Sequence, residues 1–346
     1  MHSHADNHGH KQPSKILSIV LIFIAVFIFN LQLSHSTITD ITPLENTQET
    51  NYDGSQNIQI ITDKQETIII NEQEPIFSNL SIGTKIETEA ISDTKHTITD
   101  IYRLPGLKVT LLIFTVFCLL ITNFHAIGSL ISMILSVLVI FNFTLPLILQ
   151  GNNPILVCLA SCLLLVPISF YLSHGFNKKA HLAASSSLIT LAFAAIITLL
   201  FTKLSSLTGL STEEARFLMF GETAGLNFKG ILFGGIMISL IGILDDITIT
   251  QVSVVEKLKK TSQNVYKQAM HIGQDHIASL INTIFLIYAG AALPTLLLFA
   301  SSPQSIAGLI NFEPIAEEII RSIIGSSSLI LAVPISTWLA NKKIKS

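Results

Sequence analysis

The segment GILFGGIMISLIGILDD occupies residues 230–246, and it is apolar until it ends in two carboxylates, Asp245 and Asp246. An ionised carboxylate within a bilayer costs about 2.5–3.5 kcal/mol on insertion scales, so chains rarely place one there without a partner or a use. The next apolar segment opens with a further acid, Asp275, in HIGQDHIASLINT (271–283). Residues 228–300 are therefore predicted to be the working part of a membrane protein.

The composition of the whole chain also points to the membrane. Hydrophobic residues make up 49% of the 346 residues and charged residues only 12%, whereas soluble domains carry about 25% charged residues. The net charge of −3 and the lack of a basic stripe with interleaved aromatics give no reason to expect a nucleic-acid partner. The three cysteines have no zinc or redox spacing, and we expect them to pack in apolar surroundings.

Apolar runs long enough to cross a bilayer occur eight times, and the chain is therefore predicted to be an all-α membrane protein with about eight transmembrane helices. The runs are 16–34, 105–123, 126–149, 154–173, 181–202, 228–250, 276–300 and 319–340. The expected order is a His-rich tail (1–15), an anchor (16–34), an exported stalk and small β domain (35–104), a seven-helix membrane domain (105–340) and a basic tail (341–346).

Basic residues orient the predicted helices. Eleven lysines lie in the two termini and in alternate loops, and only four Lys or Arg residues lie in the short loops of the other side. The positive-inside rule then places both termini in the cytoplasm. The first span also has features of a cleaved signal peptide, with small residues at Ser34 and Ser36, although its length favours a retained anchor. Residues 35–104 are exported under either alternative.

The exported segment has its own chemistry, with twelve Asp or Glu residues and four Lys or Arg residues. Residues 35–52 are polar and are expected to form a flexible stalk. Short runs rich in Ile and Thr follow at 57–62, 66–71, 85–91 and 97–102, and they predict the strands of a small barrel-like β domain. We expect this domain to serve as a docking or spacer module.

Helical spacing places polar residues on one face of each of two successive spans. Gly235, Ser239, Gly242 and Asp246 recur at steps of three or four, and Asp245 points about 100° away. The next span repeats the pattern with a stripe of four residues. They are His271, Asp275, Ser279 and Asn282.

The two spans run in opposite directions, so we expect Asp245, Asp246, Asn282 and Asp275 to meet near the cytoplasmic face. Carboxylate and amide oxygens suit a hard cation, and a half-buried aspartate can bind a proton. The predicted site is therefore an ion or proton site, with Ser239 and His271 beside it. The alternative is polar contact between helices, with Asp275 stabilised at a helix N-terminus.

Three further segments carry polar residues. Glu317, Glu318 and Arg321 open the last span, and they predict an ion pair at the outer face or a second gate. The loop 251–275 is expected to form short amphipathic helices on the lipid surface or against a protein partner. The N-terminal histidines form a tract that could loosely bind a divalent metal. They are His2, His4, His8 and His10.

Several motifs in order carry a resemblance to a known family. They are HGFNKKA (174–180), EEAR (213–216), GILDDITITQ (242–251), HIGQDHIASLINT (271–283), YAGAALP (288–294) and AEEIIR (316–321). Through them, residues 105–340 resemble the YibE/F-like polytopic proteins of the bacterial cytoplasmic membrane. The resemblance implies a multi-pass location in the inner membrane and supplies no reaction.

Three functions of different classes are considered from these residues. The leading hypothesis is a transport-related protein with an intramembrane ion or proton site. The alternative is a non-enzymatic assembly or scaffold protein that docks partners at its exported domain or at the loop 251–275. An intramembrane aspartyl hydrolase is disfavoured because the sequence has no Gly-x-Gly-Asp motif. We therefore expect that the protein is not an enzyme.

Overall fold

The computed structural model describes residues 35–43, 57–64, 66–71, 80–92, 95–122, 125–261, 263–301 and 305–344. These residues divide between two compact units, with the boundary after residue 124. The predicted first span, residues 16–34, and the N-terminal histidines lie outside the described residues.

The first unit contains a five-stranded antiparallel sheet in the order β3-β2-β1-β4-β5. The strands are β1 (Ser36–Pro43), β2 (Asn57–Thr62), β3 (Thr67–Asn71), β4 (Lys85–Ser92) and β5 (Lys95–Ile101). Alternate residues point to one face, where Ile38, Ile60, Ile68 and Ile86 form a core from which solvent is excluded. No described ladder joins β3 to β5, although Cα atoms of these end strands approach within 8 Å. The closed barrel therefore stays a prediction.

A flexible stalk was expected over residues 35–52. This prediction is wrong for Ser36–Pro43, which form β1, the central strand of the sheet. Its residues alternate Thr with Ile, and β-branched side chains suit a pleated, half-buried surface. Ile41 pairs with Ile60 of β2, and Ser36 pairs with Ile86 of β4. The strand was not predicted because the composition of this segment is polar, although its Ile38 is fully buried.

A glutamate links four parts of the sheet. Ser36, Thr88 and Thr62 donate hydrogen bonds to the same oxygen, Oε2 of Glu66, at 2.7, 3.1 and 3.2 Å. Burial raises the pKa of this carboxyl, but the three hydroxyl donors outweigh burial and hold the pKa below its usual value. The ionised form of Glu66 is therefore part of the folded sheet.

Helix α1 (Leu104–Thr122) completes the first unit, and the second unit is helical. Its helices are α2 (His125–Val139), α3 (Leu145–Leu149), α4 (Pro154–His174), α5 (Lys178–Leu204), α6 (Glu213–Phe217), α7 (Phe228–Leu258), α8 (Val265–Ala291), α9 (Leu293–Ala300), α10 (Ile306–Asn311) and α11 (Glu313–Lys343). A π-helical turn, Ile140–Thr144, joins α2 to α3 without a break in direction.

Six helical segments among the described residues are long and apolar enough to cross a membrane. They are α1, α2 with α3, α4, α5, α7 and α11. A seventh is present if α8 and α9 count as one span, although they bend by 66° at their junction. The predicted continuous span 276–300 is therefore corrected. Pro294 in the first turn of α9 explains the bend, because proline lacks the amide donor and its ring clashes with the preceding turn.

The short amphipathic helices predicted over 251–275 are helical but not separate, because they continue the two long helices on either side. Helix α7 continues to Leu258 and α8 begins at Val265. Gln251 is buried, and its amide donates to the Ala269 carbonyl at 2.8 Å and to the Thr337 hydroxyl at 2.7 Å. Gly273 fits against the same glutamine, since an added Cβ would lie 3.0 Å from its amide atoms. These contacts bury one side of the segment against α11, and the rest of it stays exposed or half-buried.

Two sets of polar contacts define the ends of the helical unit. Lys179 at the start of α5 pairs with Glu256 of α7 at 2.7 Å, and Lys259 donates to the carbonyl of Ile344 after α11 at 2.6 Å. We call this the lysine-rich end. At the opposite end, the backbone amide of Thr208 donates to Glu313 at the start of α11 at 2.5 Å. Alternate helices therefore run in opposite directions between two polar ends.

Candidate functional site

A polar cavity of about 380 Å³ lies between α2, α4 and α7. Hydroxyl groups, two carboxylates and an imidazole line it, which is unusual for a unit made of apolar helices. The polar lining residues are Ser129, Ser132, Ser136, Ser169, Ser173, His174, Asp245 and Asp246.

Asp245 has the closest contacts in this cavity. The Ser169 hydroxyl donates to its Oδ2 at 2.5 Å, and Nε2 of His174 lies 3.3 Å from its Oδ1. The aspartate side chain is 18% exposed and the histidine side chain 34%. Oδ1 is enclosed and has no hydrogen-bond partner among the described residues, since the imidazole lies at ion-pairing distance without hydrogen-bond alignment. The described residues therefore supply no donor to this enclosed oxygen.

Residue spacing, a close helix contact and a helix end position the polar groups of the cavity. Ser129, Ser132 and Ser136 are spaced three and four residues apart, so they share one face of α2. Gly128 lets that face approach α4 closely, because a Cβ there would lie 2.0 Å from the carbonyl oxygen of Leu172. Helix α4 ends at His174 and is capped by Gly175, whose φ of 78° suits glycine.

Asp246 lies on the exposed side of the same cavity. The two neighbouring acids face it together, although they point in directions about 100° apart on α7. Gly242, one turn earlier, also lines the cavity and contributes no side chain. The cavity therefore contains two carboxylates, one enclosed and one open.

Helix α8 does not bring its polar stripe to this cavity. Asn282 is exposed, and His271 and Asp275 are about 80% exposed and lie 3.9 Å apart as a pair of their own. The opposite face of α8 packs instead: Ala269, Gly273 and Ile284 are buried, and Ile284 lies against Gly325 of α11. The expected meeting of Asp275 and Asn282 with Asp246 is therefore absent.

Ser239 contacts α8 rather than the cavity. Its hydroxyl lies 3.4 Å from the hydroxyl of Tyr288, and it donates to the carbonyl of Ile236 at 2.8 Å. Ser239 is not among the residues that line the cavity around Asp245.

The charged cluster of α11 lies at the opposite end of the unit. Arg321 forms an ion pair with buried Glu317, and its second terminal nitrogen is 3.7 Å from Glu318. The Ser211 hydroxyl donates to Glu317 at 2.5 Å and so ties the loop after α5 to this helix. Two carboxylates share one guanidinium here.

Sequence reasoning found Asp245 and Asp246 but missed their neighbours. Ser169 and His174 are 76 and 71 positions away from Asp245 along the chain, and serine is common at helix contacts in membranes. Both α2 and the end of α4 are rich in serine. That shared composition is the sequence feature that could have indicated a polar contact between them and so pointed to Ser169 and His174. Among the described residues, no group of three or more His, Cys, Asp or Glu side chains could hold a metal ion.

The fold and the cavity define a class, a multi-pass helical membrane protein with an acid- and serine-lined pocket among its spans. The chain belongs to the YibE/F-like family, whose model matches residues 110–346. The family predicted from the motifs is thus confirmed, and the match includes the pocket and the charged cluster of α11. Searches of curated proteins and of solved structures find no significant similarity.

Proposed function

We propose that this protein is transport-related and that Asp245 binds a proton or a small cation within the membrane. The observation that carries the proposal is the enclosed carboxylate of Asp245, held by Ser169 at 2.5 Å and faced by His174 at 3.3 Å. A carboxylate between a hydroxyl and an imidazole can gain and lose a proton with little rearrangement. Ionisable groups inside membrane spans commonly mark ion or proton pathways.

The pocket also offers ligands for a small cation. The two carboxylates and the serine hydroxyls that line it are oxygen donors, which hard cations prefer. Protonated His174 would repel a cation, so occupancy of the pocket by a cation and protonation of the imidazole should compete. A proton and a cation are therefore two alternative occupants of one pocket.

The proposed arrangement in the membrane follows from the lysines. We place the protein in the bacterial inner membrane with eight spans, the first being residues 16–34, and with both termini in the cytoplasm. The lysine-rich end then faces the cytoplasm, and the sheet unit is exported as a small barrel. The pocket around Asp245 would open toward the cytoplasmic side, because His174 is the last residue of α4.

Purified protein in liposomes tests the proposal. A pH-sensitive dye inside the vesicles should report a flux under an imposed pH gradient, and D245N should reduce that flux at least tenfold. D275N is the matched control, because Asp275 is exposed on α8, and it should behave as wild type. Parallel melting curves with Na⁺, K⁺, Mg²⁺ or Ca²⁺ should show which ion stabilises the folded protein. Wild-type flux and wild-type ion response in D245N would end the proposal.

A scaffold role is the second candidate, and the sheet unit favours it. That unit has an isoleucine core of its own, so it can present a folded surface to a protein partner. Crosslinking in intact membranes from residues of β4 and β5 should recover a partner if this role is real. An aspartyl hydrolase gains no support from the geometry, because Asp275 pairs with His271 on the exposed face of α8.

A further inference from the structure

The connection between α5 and α7, residues 205–227, carries an exposed apolar segment at the end of the helical unit opposite the lysine-rich end. Residues 217–220 are four successive large apolar residues, the first of which ends α6. All four are exposed, Phe217 to 78% and Phe220 to 76%. We call residues 217–220 the apolar tip. A contiguous apolar surface of this kind marks a site of contact with a membrane or another molecule.

The connection is fixed to the bundle before the tip. Leu207 is buried in the core of the helical unit. Gly209 lies against the start of α7, because a Cβ there would be 2.4 Å from the carbonyl oxygen of Phe228. The Ser211 hydroxyl donates to Glu317 of α11 at 2.5 Å. These contacts hold residues 207–211 level with the first turns of α7 and α11.

The connection is fixed to the bundle again after the tip. The Thr223 hydroxyl donates to the carbonyl of Leu218 at 2.7 Å and closes the chain behind the tip. Leu226 then packs against a buried cluster that includes Val157 and Cys158, near the beginning of α4. The tip therefore belongs to a folded connection that is attached to the helix ends on both sides, while its own apolar side chains stay exposed.

The position of the connection favours the bilayer as the neighbour of the tip. Helices α5 and α7 are both long and apolar enough to cross a membrane, so their ends lie near the boundary between hydrocarbon and headgroups. Leu200 and Leu204 are exposed in the last two turns of α5, so the apolar surface of that span extends up to the residue where the connection begins. The exposed tip is attached at this same level.

The charges beside the tip also fit a phospholipid surface. Lys203 in the last turn of α5, Lys229 in the first turn of α7 and Arg216 immediately before the tip are all exposed. Long basic side chains can bury their stems in apolar surroundings and keep their charges with lipid phosphates. The acids of this segment, Glu213 and Glu214, stand in the first turn of α6, at the other end of that helix from the tip.

We propose that the apolar tip inserts into the interfacial layer of the leaflet at this end, with membrane phospholipid as its ligand. Phe217 and Phe220 enter the boundary of the acyl chains, and Arg216 stays with the phosphates. The insertion anchors the connection between α5 and α7 to the membrane surface. The proposal is independent of the ion site, because Leu226 packs near the beginning of α4, whereas His174 of the Asp245 pocket ends that helix.

Tryptophan fluorescence of the full-length protein in vesicles tests the insertion. The chain has one tryptophan, Trp338, so W338F provides a background without tryptophan emission. F217W and F220W in that background each place one reporter in the tip. F193W is the matched control, because Phe193 is half-exposed near the middle of α5. The vesicles consist of phosphatidylethanolamine and phosphatidylglycerol whose acyl chains are brominated near the headgroup, brominated near the chain end or unbrominated, and acrylamide serves as the quencher from water.

The depth of each reporter gives the result. Interfacial segments lie about 5–10 Å into the boundary between headgroups and acyl chains, so bromine near the headgroup should lower the emission of F217W and F220W roughly twofold. Bromine near the chain end should quench F193W more strongly than it quenches either reporter in the tip.

Two other results would overturn the proposal. Strong quenching by acrylamide without an effect of bromine would place the tip in water, and protection from both quenchers would place it against protein. Melting curves show whether each variant is folded, and M219W provides another reporter in the tip if one of the phenylalanine variants fails to fold.

Discussion

The Ser169 hydroxyl donates a 2.5 Å hydrogen bond to Oδ2 of Asp245, and this contact joins α4 to α7 beside the cavity. It is a charge-assisted contact if the aspartate is ionised, and such bonds are about twice as strong as neutral ones. The cavity around Asp245 therefore depends on a helix that is distant in sequence from the aspartate.

Replacing Ser169 by alanine tests this contact. S169A should lower the free energy of unfolding by about 1.5–3 kcal/mol, because the carboxylate loses a charge-assisted hydrogen bond. Thermal unfolding in detergent is the measurement. S173A removes a hydroxyl from the same cavity without a described contact to Asp245 and should cost less. Equal losses in the two variants would mean that the Ser169 contact has no special strength.

Close packing of α2 against α4 gives a second prediction. In G128A, the new Cβ would lie 2.0 Å from the Leu172 carbonyl oxygen, which is backbone and cannot rotate away. The helices must separate, and we expect a loss of about 1–3 kcal/mol in thermal unfolding. G235A is the control, because a Cβ at Gly235 has no neighbour within 4 Å. Its helix should be as stable or more so, as alanine favours helix over glycine.

Acid should loosen the sheet through Glu66. The folded-state pKa of this carboxyl is lowered, so its contribution to stability is present above its unfolded pKa near 4.5 and is lost as the pH falls through the folded value. Protection factors of the strand amides in the whole protein, corrected for the intrinsic pH dependence of exchange, should therefore fall below about pH 4.5. In E66Q the same amides should exchange faster at neutral pH and respond less to acid. A steep acid response that survives in E66Q would assign it to another group.

The buried amide of Gln251 supplies a fourth prediction. Its hydrogen bonds to Ala269 and Thr337 connect α7 to both α8 and α11. Q251L should cost about 1–3 kcal/mol in thermal unfolding, because polar partners in the interior are left unpaired. Q268L changes an exposed glutamine on α8 and should have little effect. If the two variants melt together, packing and not hydrogen bonding holds this junction.

Most helix positions could be predicted because each needs a long apolar run. The run predicted at 154–173 is the helix Pro154–His174, and the run at 105–123 is Leu104–Thr122. Helix ends could not be predicted where contacts with neighbouring helices decide how far a helix continues. Helix α7 runs eight residues beyond its apolar end because partners such as Gln251 find contacts there.

The candidate site was half predictable for a related reason. A carboxylate in an apolar run is visible without any structure, and Asp245 was found that way. Helical spacing assigns residues to faces, but it does not say which face meets a neighbour. On α8 the packed face carries Ala269 and Gly273, so the polar stripe with Asp275 is turned outward. The serines of α2 are brought in by a glycine contact that no spacing reveals.

The 66° elbow at Ala292 restricts what can surround it. Pro294 has no amide hydrogen to donate to the carbonyl of Gly290 one turn earlier, although the carbonyls of Tyr288 and Ala292 keep their donors across the junction. Hydrocarbon offers no replacement donor, so a lipid acyl chain is a costly neighbour for this bend. Protein or penetrating solvent beside residue 292 would lower that cost.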